Sequence, residues 1–143
     1  MATLAKDKPR VYELTGGHPD YNELPAIAAD IIYAGAAVGE SSTSGTGRPL
    51  VAADNFMGFC QEQCDNSLGA ASAKGIKLLQ SGVAELTVTG ASAVTAYDAP
   101  VYASDDDTFT LTASGSSSIG KVKKYQASGK CLVYFEATSK RSI

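Results

Sequence analysis

Side chains that could act as a catalytic base or nucleophile are scarce in this sequence. Its one histidine, His18, lies between Gly17 and Pro19, where turns are common. With no second histidine, neither a Ser–His–Asp triad nor a Cys–His pair can be assembled on a rigid element. The glycines match neither GxGxxG nor GxxxxGK[ST], the patterns that hold phosphate groups. We therefore predict no catalytic residue and no enzymatic activity.

Two groups of side chains have the chemistry of metal ligands. Asp105–Asp107 could offer oxygens to a hard cation, but three adjacent acids lack the spaced ligands and the glycine of an EF-hand loop. We expect a solvent-exposed turn there. Cys60 and Cys64 are spaced more widely than a CxxC pair, and Cys131 is distant, which does not fit the disulfide framework of a secreted protein. We expect buried thiols, no metal and no cofactor.

Length and composition predict one soluble domain with a core. The chain has 143 residues, 44% of them hydrophobic and 19% charged. Its net charge of −3 and its pI near 5.0 give no basic surface for nucleic acid, and the local lysines of residues 121–130 are expected to be solvated. The longest apolar run, Ala26–Val38, contains Asp30 and is shorter than the roughly 20 residues that span a bilayer. No secretory signal opens the chain, so we expect cytoplasmic synthesis and no membrane partner.

Alternating hydrophobicity predicts a mainly β fold. In Val83–Thr89, Ala84, Leu86 and Val88 share one face and polar residues share the other. Tyr97–Leu111 predicts a hairpin, since an apolar strand is followed by the turn-forming residues 104–107 and by a second alternating strand.

Further strands follow from shorter apolar runs. Asn55–Gln61 predicts a buried strand, and Cys131–Phe135 predicts a central strand covered on both faces. A tight turn is expected at Ser81–Gly82 and a hairpin turn at Ser128–Gly129. Imperfect alternation near Gly120 predicts a β-bulge.

The first part of the chain predicts a separate segment. Residues 1–24 carry prolines, glycines and scattered charges, which favours an extended N-terminal arm, with residues 25–143 as the domain. Pro25–Val38 is ambiguous, because Ile27 and Ile31 have helical spacing while the run of β-branched and glycine residues favours a strand over about Asp30–Val38.

Three segments, taken in order, resemble a known family. They are DIIYAGAAVGE, NFMGFCQEQCDNSLGAASAKGIKLLQSGVAELTV and APVYASDDDTFTLTASGSSSIGKV, and the likeness extends from about Asp30 to Phe135. In order and spacing they are similar to the small capsid decoration, or cement, proteins of tailed bacteriophages, of the lambda-like head decoration type.

The resemblance implies a compact antiparallel β-barrel or β-tulip domain with an extended N-terminal arm. It implies a structural protein that binds the major capsid protein on the outer surface of the mature phage head, as a homotrimer, and stabilises the shell. After synthesis in the host cytoplasm, the protein would be part of the virion. The arm would contact neighbouring capsid subunits, and its candidate contact residues are Arg10, Val11, Tyr12, Leu14 and Tyr21.

Two alternatives stay open at this point. A carbohydrate- or receptor-binding module on a virion surface would use exposed aromatic side chains, for which Tyr97, Tyr102, Tyr125 and Tyr134 are candidates. A small β-barrel enzyme would need acids that converge only in the folded chain.

Overall fold

The computed structural model describes residues 4–8, 10–13, 21–40, 45–91, 98–113, 115–127 and 129–138. The regular structure of these residues is made of β-strands, in agreement with the predicted mainly β fold. The strands are β1 (Tyr12–Glu13), β2 (Tyr21–Pro25), β3 (Asp30–Ile32), β4 (Ala37–Glu40), β5 (Gly47–Pro49), β6 (Asn55–Cys60), β7 (Cys64–Asn66), β8 (Gly75–Leu79), β9 (Ser81–Thr89), β10 (Pro100–Ala103), β11 (Phe109–Thr110), β12 (Ser117–Ala127) and β13 (Lys130–Glu136).

Five strands close into a barrel, as the family resemblance implied. Their order around the barrel is β9, β11, β10, β12 and β13, and β13 pairs back onto β9. Neighbours are antiparallel except for β11, which runs parallel to β9. The paired residues can be traced once around the barrel, starting from Ser117 in β12. The trace comes back to β12 near Ala127 rather than at Ser117. The strands are therefore strongly tilted against the barrel axis.

Several predicted elements are confirmed in the barrel. The predicted hairpin forms between β10 and β11, with Tyr102 opposite Thr110 and Ala103 opposite Phe109. Strand β9 buries its predicted face and exposes Thr87 and Thr89 on the other. The bulge near Gly120 is also present, because the β10–β12 register shifts there.

Three local predictions are wrong. The strand expected over Asp30–Val38 is two strands, separated by a turn at Tyr33–Ala36 in which Gly35 has a φ of 88°. No tight turn forms at Ser81–Gly82, since β9 already begins at Ser81. Strand β13 is central but is not covered on both faces, because Tyr134 on its outer face is 38% exposed.

A second sheet lies beside the barrel, and its strands β4 and β6 are buried on both faces. Its strand order is β2, β8, β6, β4 and β5, and β3 pairs with β7 in a separate two-stranded sheet. On one face Phe56, Phe59 and Leu79 join the barrel core. On the other face Met57 and Ile76 pack with residues of β3 and β7 in a second apolar cluster.

A bulge at Gly58 determines which side chains reach the barrel. Strict alternation would send Phe56 and Phe59 to opposite faces, but the β4–β6 register shifts here, and both rings enter the barrel core. Gly58 has a φ of 130°, and a Cβ at this position would lie 2.5 Å from the Leu79 carbonyl oxygen. Glycine is therefore required, and Phe59 becomes the centre of an aromatic cluster, 4.8 Å from the ring of Phe135.

The beginning of the chain is hydrogen-bonded into this body. Strand β1 pairs with β9, and β2 pairs with β8 along its whole length, from Tyr21 opposite Leu79 to Pro25 opposite Gly75. The boundary predicted between residues 24 and 25 thus falls inside β2.

Candidate interaction surface

Arg10, a predicted partner contact, lies inside the protein. Its side chain is 4% exposed, and Nη2 donates a hydrogen bond to Asp107 Oδ1 over 2.8 Å. Nε donates to the Gly35 carbonyl, and the guanidinium lies over the rings of Phe59 and Phe109, 5.4 and 5.3 Å from their centroids. Because its surface is covered by these contacts, little of Arg10 is accessible to another molecule.

The solvent-exposed turn predicted at Asp105–Asp107 is wrong. Asp106 is 1% exposed, its carboxylate accepts the Leu4 N–H at 3.2 and 3.3 Å, and its carbonyl accepts the Ala37 N–H. The pKa of Asp106 is raised to about 6, mainly by burial and to a smaller extent by the neighbouring acids, while the Leu4 N–H opposes the rise. The turn was misjudged because its partners are distant in sequence.

The segment before β1 makes further contacts with the same part of the fold. Lys8 Nζ lies 3.0 Å from Asp107 Oδ2, and the Lys8 N–H donates to the Ala34 carbonyl. The Ala34 N–H donates to Asp7 Oδ1 over 3.0 Å. The segment is thus attached both to the turn between β3 and β4 and to the turn between β10 and β11.

Tyr12 is also used within the chain. It pairs with Ala84 in β9, and its ring packs against Phe59 and Phe135, with centroids 6.1 and 6.2 Å away. Burial raises the pKa of Tyr12 to about 12, while the Arg10 guanidinium and the Gln61 side chain oppose that rise.

The other arm candidates differ in exposure. Val11 is 62% exposed and Tyr21 is 49% exposed, with Lys77 Nζ 4.7 Å from the Tyr21 ring centroid. Leu14 lies outside the described residues. Two of the five predicted contact residues therefore present an accessible side chain in the part of the chain that the structure describes.

The outer edge of β2 is poorly suited to strand addition. Just past the end of β2, the Ala26 N–H donates to the Lys74 carbonyl. In an antiparallel pair only every second residue bonds to the partner strand, so the Glu23 N–H points away from β8. Asn22 Oδ1 accepts that N–H over 2.9 Å, and Pro25 has no N–H. Few donors remain for an added strand, which is a common protection of sheet edges.

A fully exposed leucine stands on the ordered loop between β7 and β8. Leu68 is 102% exposed, although Asn66 Nδ2 fixes the loop by donating to the carbonyls of Ile27 and Ala70 over 2.9 and 3.0 Å. Asp65 Oδ1 accepts the backbone N–H and the hydroxyl of Ser67. The ordered loop therefore holds a large apolar side chain in water, where a partner surface could cover it.

An open groove of about 800 Å³ lies next to this loop. Residues of β3, the loop after β5 and the β10–β11 turn form its walls, and Ser67 lines its border with the Leu68 loop. The apolar part of the lining consists mainly of Ile27, Ile31, Tyr33, Pro49 and Val51. The charged part consists of Asp30, Arg48 and Asp105.

The loop at Val51 is as ordered as the loop at Leu68. Val51 is 49% exposed, its N–H donates to Asp54 Oδ2, and Asp54 also accepts two hydrogen bonds from Arg48, at 3.0 and 2.7 Å. Asp54 thereby raises the pKa of Arg48. The contacts hold Ala53 at a φ of 75°, a conformation that costs a non-glycine residue about 1 kcal/mol.

The remaining predicted residues lie apart from this groove where the structure describes them. Tyr97 lies outside the described residues, Tyr102 and Tyr125 are half-buried, and Tyr134 is exposed with Lys123 Nζ 5.7 Å from its ring centroid. The three cysteines are free and buried, as predicted, and burial raises the pKa of Cys60 to about 12. Within the described ranges no group of three or more His, Cys, Asp or Glu side chains could hold a metal ion, and no helix is long and apolar enough to cross a membrane.

Sequence reasoning missed the groove, Val51 and Leu68. Leu68 had a visible signal, since it is the one large apolar residue between Asn66 and Gly75. The groove had none, because its lining comes from residues that are separated by up to a hundred positions.

Comparison with protein-family models and with curated proteins finds no match for this chain.

Proposed function

We propose that this chain is a capsid decoration protein of a tailed bacteriophage. It binds the outer surface of the mature head through the major capsid protein, associates as a homotrimer and stabilises the shell. The proposal is supported by the ordered likeness of three sequence segments to that family and by a closed β-barrel body. Shell stabilisation needs a rigid body with accessible apolar contacts, and it needs no reacting group.

The observation that carries the proposal is the exposed Leu68 on its ordered loop. Covering one leucine side chain contributes roughly 1.5–3 kcal/mol. A trimer would present three such loops, and after the first contact the others are effectively intramolecular, so modest contacts combine into tight binding. Small residues surround Leu68, namely Ser67, Gly69 and Ala70, which lets a partner surface approach closely.

The first 24 residues have two roles in this proposal. Arg10 and Tyr12 contribute to the fold, and Val11 and Tyr21 remain as accessible contacts to capsid subunits. Leu14 stays a predicted contact.

Co-sedimentation with phage heads tests the function. Heads are assembled from the major capsid protein encoded with this chain, in expanded and unexpanded forms, and calorimetry records the temperature at which they come apart. We expect binding to expanded heads and a higher disruption temperature. Folded protein that binds neither form would contradict the function.

Two loop variants test the role of Leu68. Leu68→Ser should weaken head binding about tenfold or more, because an apolar contact is lost. Ala71→Ser changes another exposed residue of the same loop and serves as the matched control. Equal binding by both variants would remove Leu68 from the contact surface.

A further inference from the structure

The groove next to the Leu68 loop combines apolar walls with two carboxylates. Asp30 Oδ1 accepts the Ile31 N–H over 2.8 Å, and Asp105 Oδ1 accepts the Asp107 N–H over 2.9 Å. Neither carboxylate forms an ion pair with any residue that the structure describes. The groove therefore has two carboxylates next to its apolar walls, and no described cation is paired with either of them.

The cation in the groove lining is already neutralised. Arg48 gives both Nε and Nη2 to the carboxylate of Asp54, whose side chain is 6% exposed. In such a bidentate pair, the arginine and the carboxylate neutralise each other's charge and share two hydrogen bonds. The excess charge of the groove is therefore negative, and it comes from Asp30 and Asp105.

The charge selects among possible occupants. Nucleic acid and anionic lipid would bring phosphates towards two carboxylates, and a second copy of this chain has a net charge of −3. The groove is open to solvent, whereas a small-molecule pocket encloses most of its ligand. A basic protein segment fits both the charge and the shape.

We propose that this groove binds an extended protein segment in which an apolar side chain lies next to a lysine or arginine. The apolar side chain packs on Ile31, Tyr33 and Val51, and the cation lies near Asp30 and Asp105. That the segment belongs to the capsid shell rests on the proposed function, whereas its chemistry does not.

The groove is built to bind without rearrangement. Ala29 in its lining has a φ of 56°, and Ala53 beside Val51 has a φ of 75°. The Ala29 N–H donates to the Gly69 carbonyl, and Asp54 holds the Val51 loop. Loops that are already ordered lose little conformational freedom when a partner binds.

Amide chemical shifts of the full chain test the proposal directly. The probes are three capped peptides of equal length, with the sequences GLKLRG, GLELEG and GSKSRG. We expect GLKLRG alone to shift amides around the groove, with weaker binding as salt is added. Shifts of equal size with GLELEG, or shifts confined to another surface, would overturn the proposal.

Charge-neutral variants identify the site. The double variant Asp30→Asn, Asp105→Asn keeps the acceptor oxygens for the backbone and should bind GLKLRG roughly three- to tenfold more weakly. Asp98→Asn, whose side chain is 84% exposed on the barrel, is the matched control. Unchanged binding by the folded double variant would overturn the proposal.

Three outcomes separate this inference from neighbouring ones. If groove amides shift on dilution of the protein alone, and Val51→Ser abolishes that shift, a second copy occupies the groove and the proposal is wrong. If GLKLRG binds but heads do not, the groove inference stands and the capsid function fails. If heads bind the protein and GLKLRG does not, the capsid function stands and the groove inference fails.

Discussion

Replacing Arg10 separates a structural role from a partner-binding role. Arg10→Met keeps most of the buried stem and removes the guanidinium. The variant leaves the Gly35 carbonyl without its donor, and Asp107 keeps only Lys8, whose side chain is 51% exposed. The rings of Phe59 and Phe109 lose the cation that lies over both.

The magnitude follows from these contacts. A hydrogen bond to a charged group contributes about 1.5–3 kcal/mol, and a desolvated cation–π contact about 2 kcal/mol. Packing of the methionine recovers part of this, so we expect the free energy of unfolding to fall by about 2–4 kcal/mol. Arg10→Lys should be intermediate, because one ammonium cannot reach both Gly35 and Asp107.

Urea unfolding measures the effect. The chain has seven tyrosines and no tryptophan, so tyrosine fluorescence and circular dichroism are the signals, at one fixed protein concentration. Val11→Ser is the control and should stay within about 0.5 kcal/mol, since Val11 is 62% exposed. A cycle with Asp107→Asn should give a coupling energy of about 1–3 kcal/mol. If Arg10→Met costs no more than Val11→Ser, the structural role is refuted and Arg10 returns to the list of partner contacts.

Three further predictions concern acidity, packing and assembly. The pKa of Asp106 is raised from 3.8 to about 6, so its protonation stabilises the fold fully below the lower value, and that stability is lost as pH rises through the higher one. The urea midpoint of Asp106→Asn, measured relative to that of the unmodified protein, should therefore increase as pH rises across this window. A difference between the two midpoints that does not change with pH would contradict the raised pKa of Asp106. Gly120→Ala should lower the free energy of unfolding by about 2–4 kcal/mol, because its Cβ would lie 1.7 Å from the Tyr134 carbonyl oxygen. Gly115→Ala, whose Cβ meets nothing within 4 Å, should lower it by only about 1 kcal/mol. Equal losses for the two variants would argue against the packing explanation. Light scattering should give about 44 kDa for a trimer of 14.7 kDa chains, and a single-chain mass at every concentration would remove the solution trimer.

The elements that follow local patterns were predictable from the sequence. In β9, side chains alternate between core and water, and the β10–β11 hairpin has turn-forming residues between two apolar strands. Alternation of apolar and polar residues shows directly which face of a strand is buried, so these strands could be predicted without knowing which strands they pair with.

The turn at Asp105–Asp107 shows where local reasoning fails. Three adjacent acids usually lie in water, and here Leu4 supplies a backbone donor to Asp106 from 102 residues away. Arg10 supplies a guanidinium to Asp107 from 97 residues away. No local pattern encodes such pairs, so a buried acid cluster and a buried arginine were each assigned to the surface.

The two apolar loop residues illustrate the same limit from the opposite direction. Leu68 and Val51 are apolar, and hydrophobicity alone assigns such residues to a core. Their exposure depends on Asn66 and Asp54, which order the loops through side-chain hydrogen bonds and leave the apolar residue outside.

The contacts of the described residues before Pro25 decide how an arm should be tested. Truncation after Leu24 would remove β1 from β9, the Leu4 donor from Asp106, the Arg10 contacts and all of β2 except Pro25. Native domains are stable by only about 5–15 kcal/mol, so we expect the truncated chain to be largely unfolded, and its failure to bind heads would say nothing about contacts.

Substitution of the two accessible residues tests the arm without that ambiguity. Val11→Asp and Tyr21→Ser change side chains that are 62% and 49% exposed, so the protein should stay folded while apolar contacts to a partner are lost. If the arm contacts the capsid, the folded double variant binds expanded heads at least tenfold more weakly, in proportion to two lost apolar contacts. Full binding by that variant would mean that these residues form part of the domain alone, and that attachment to the shell depends on the Leu68 loop and the groove.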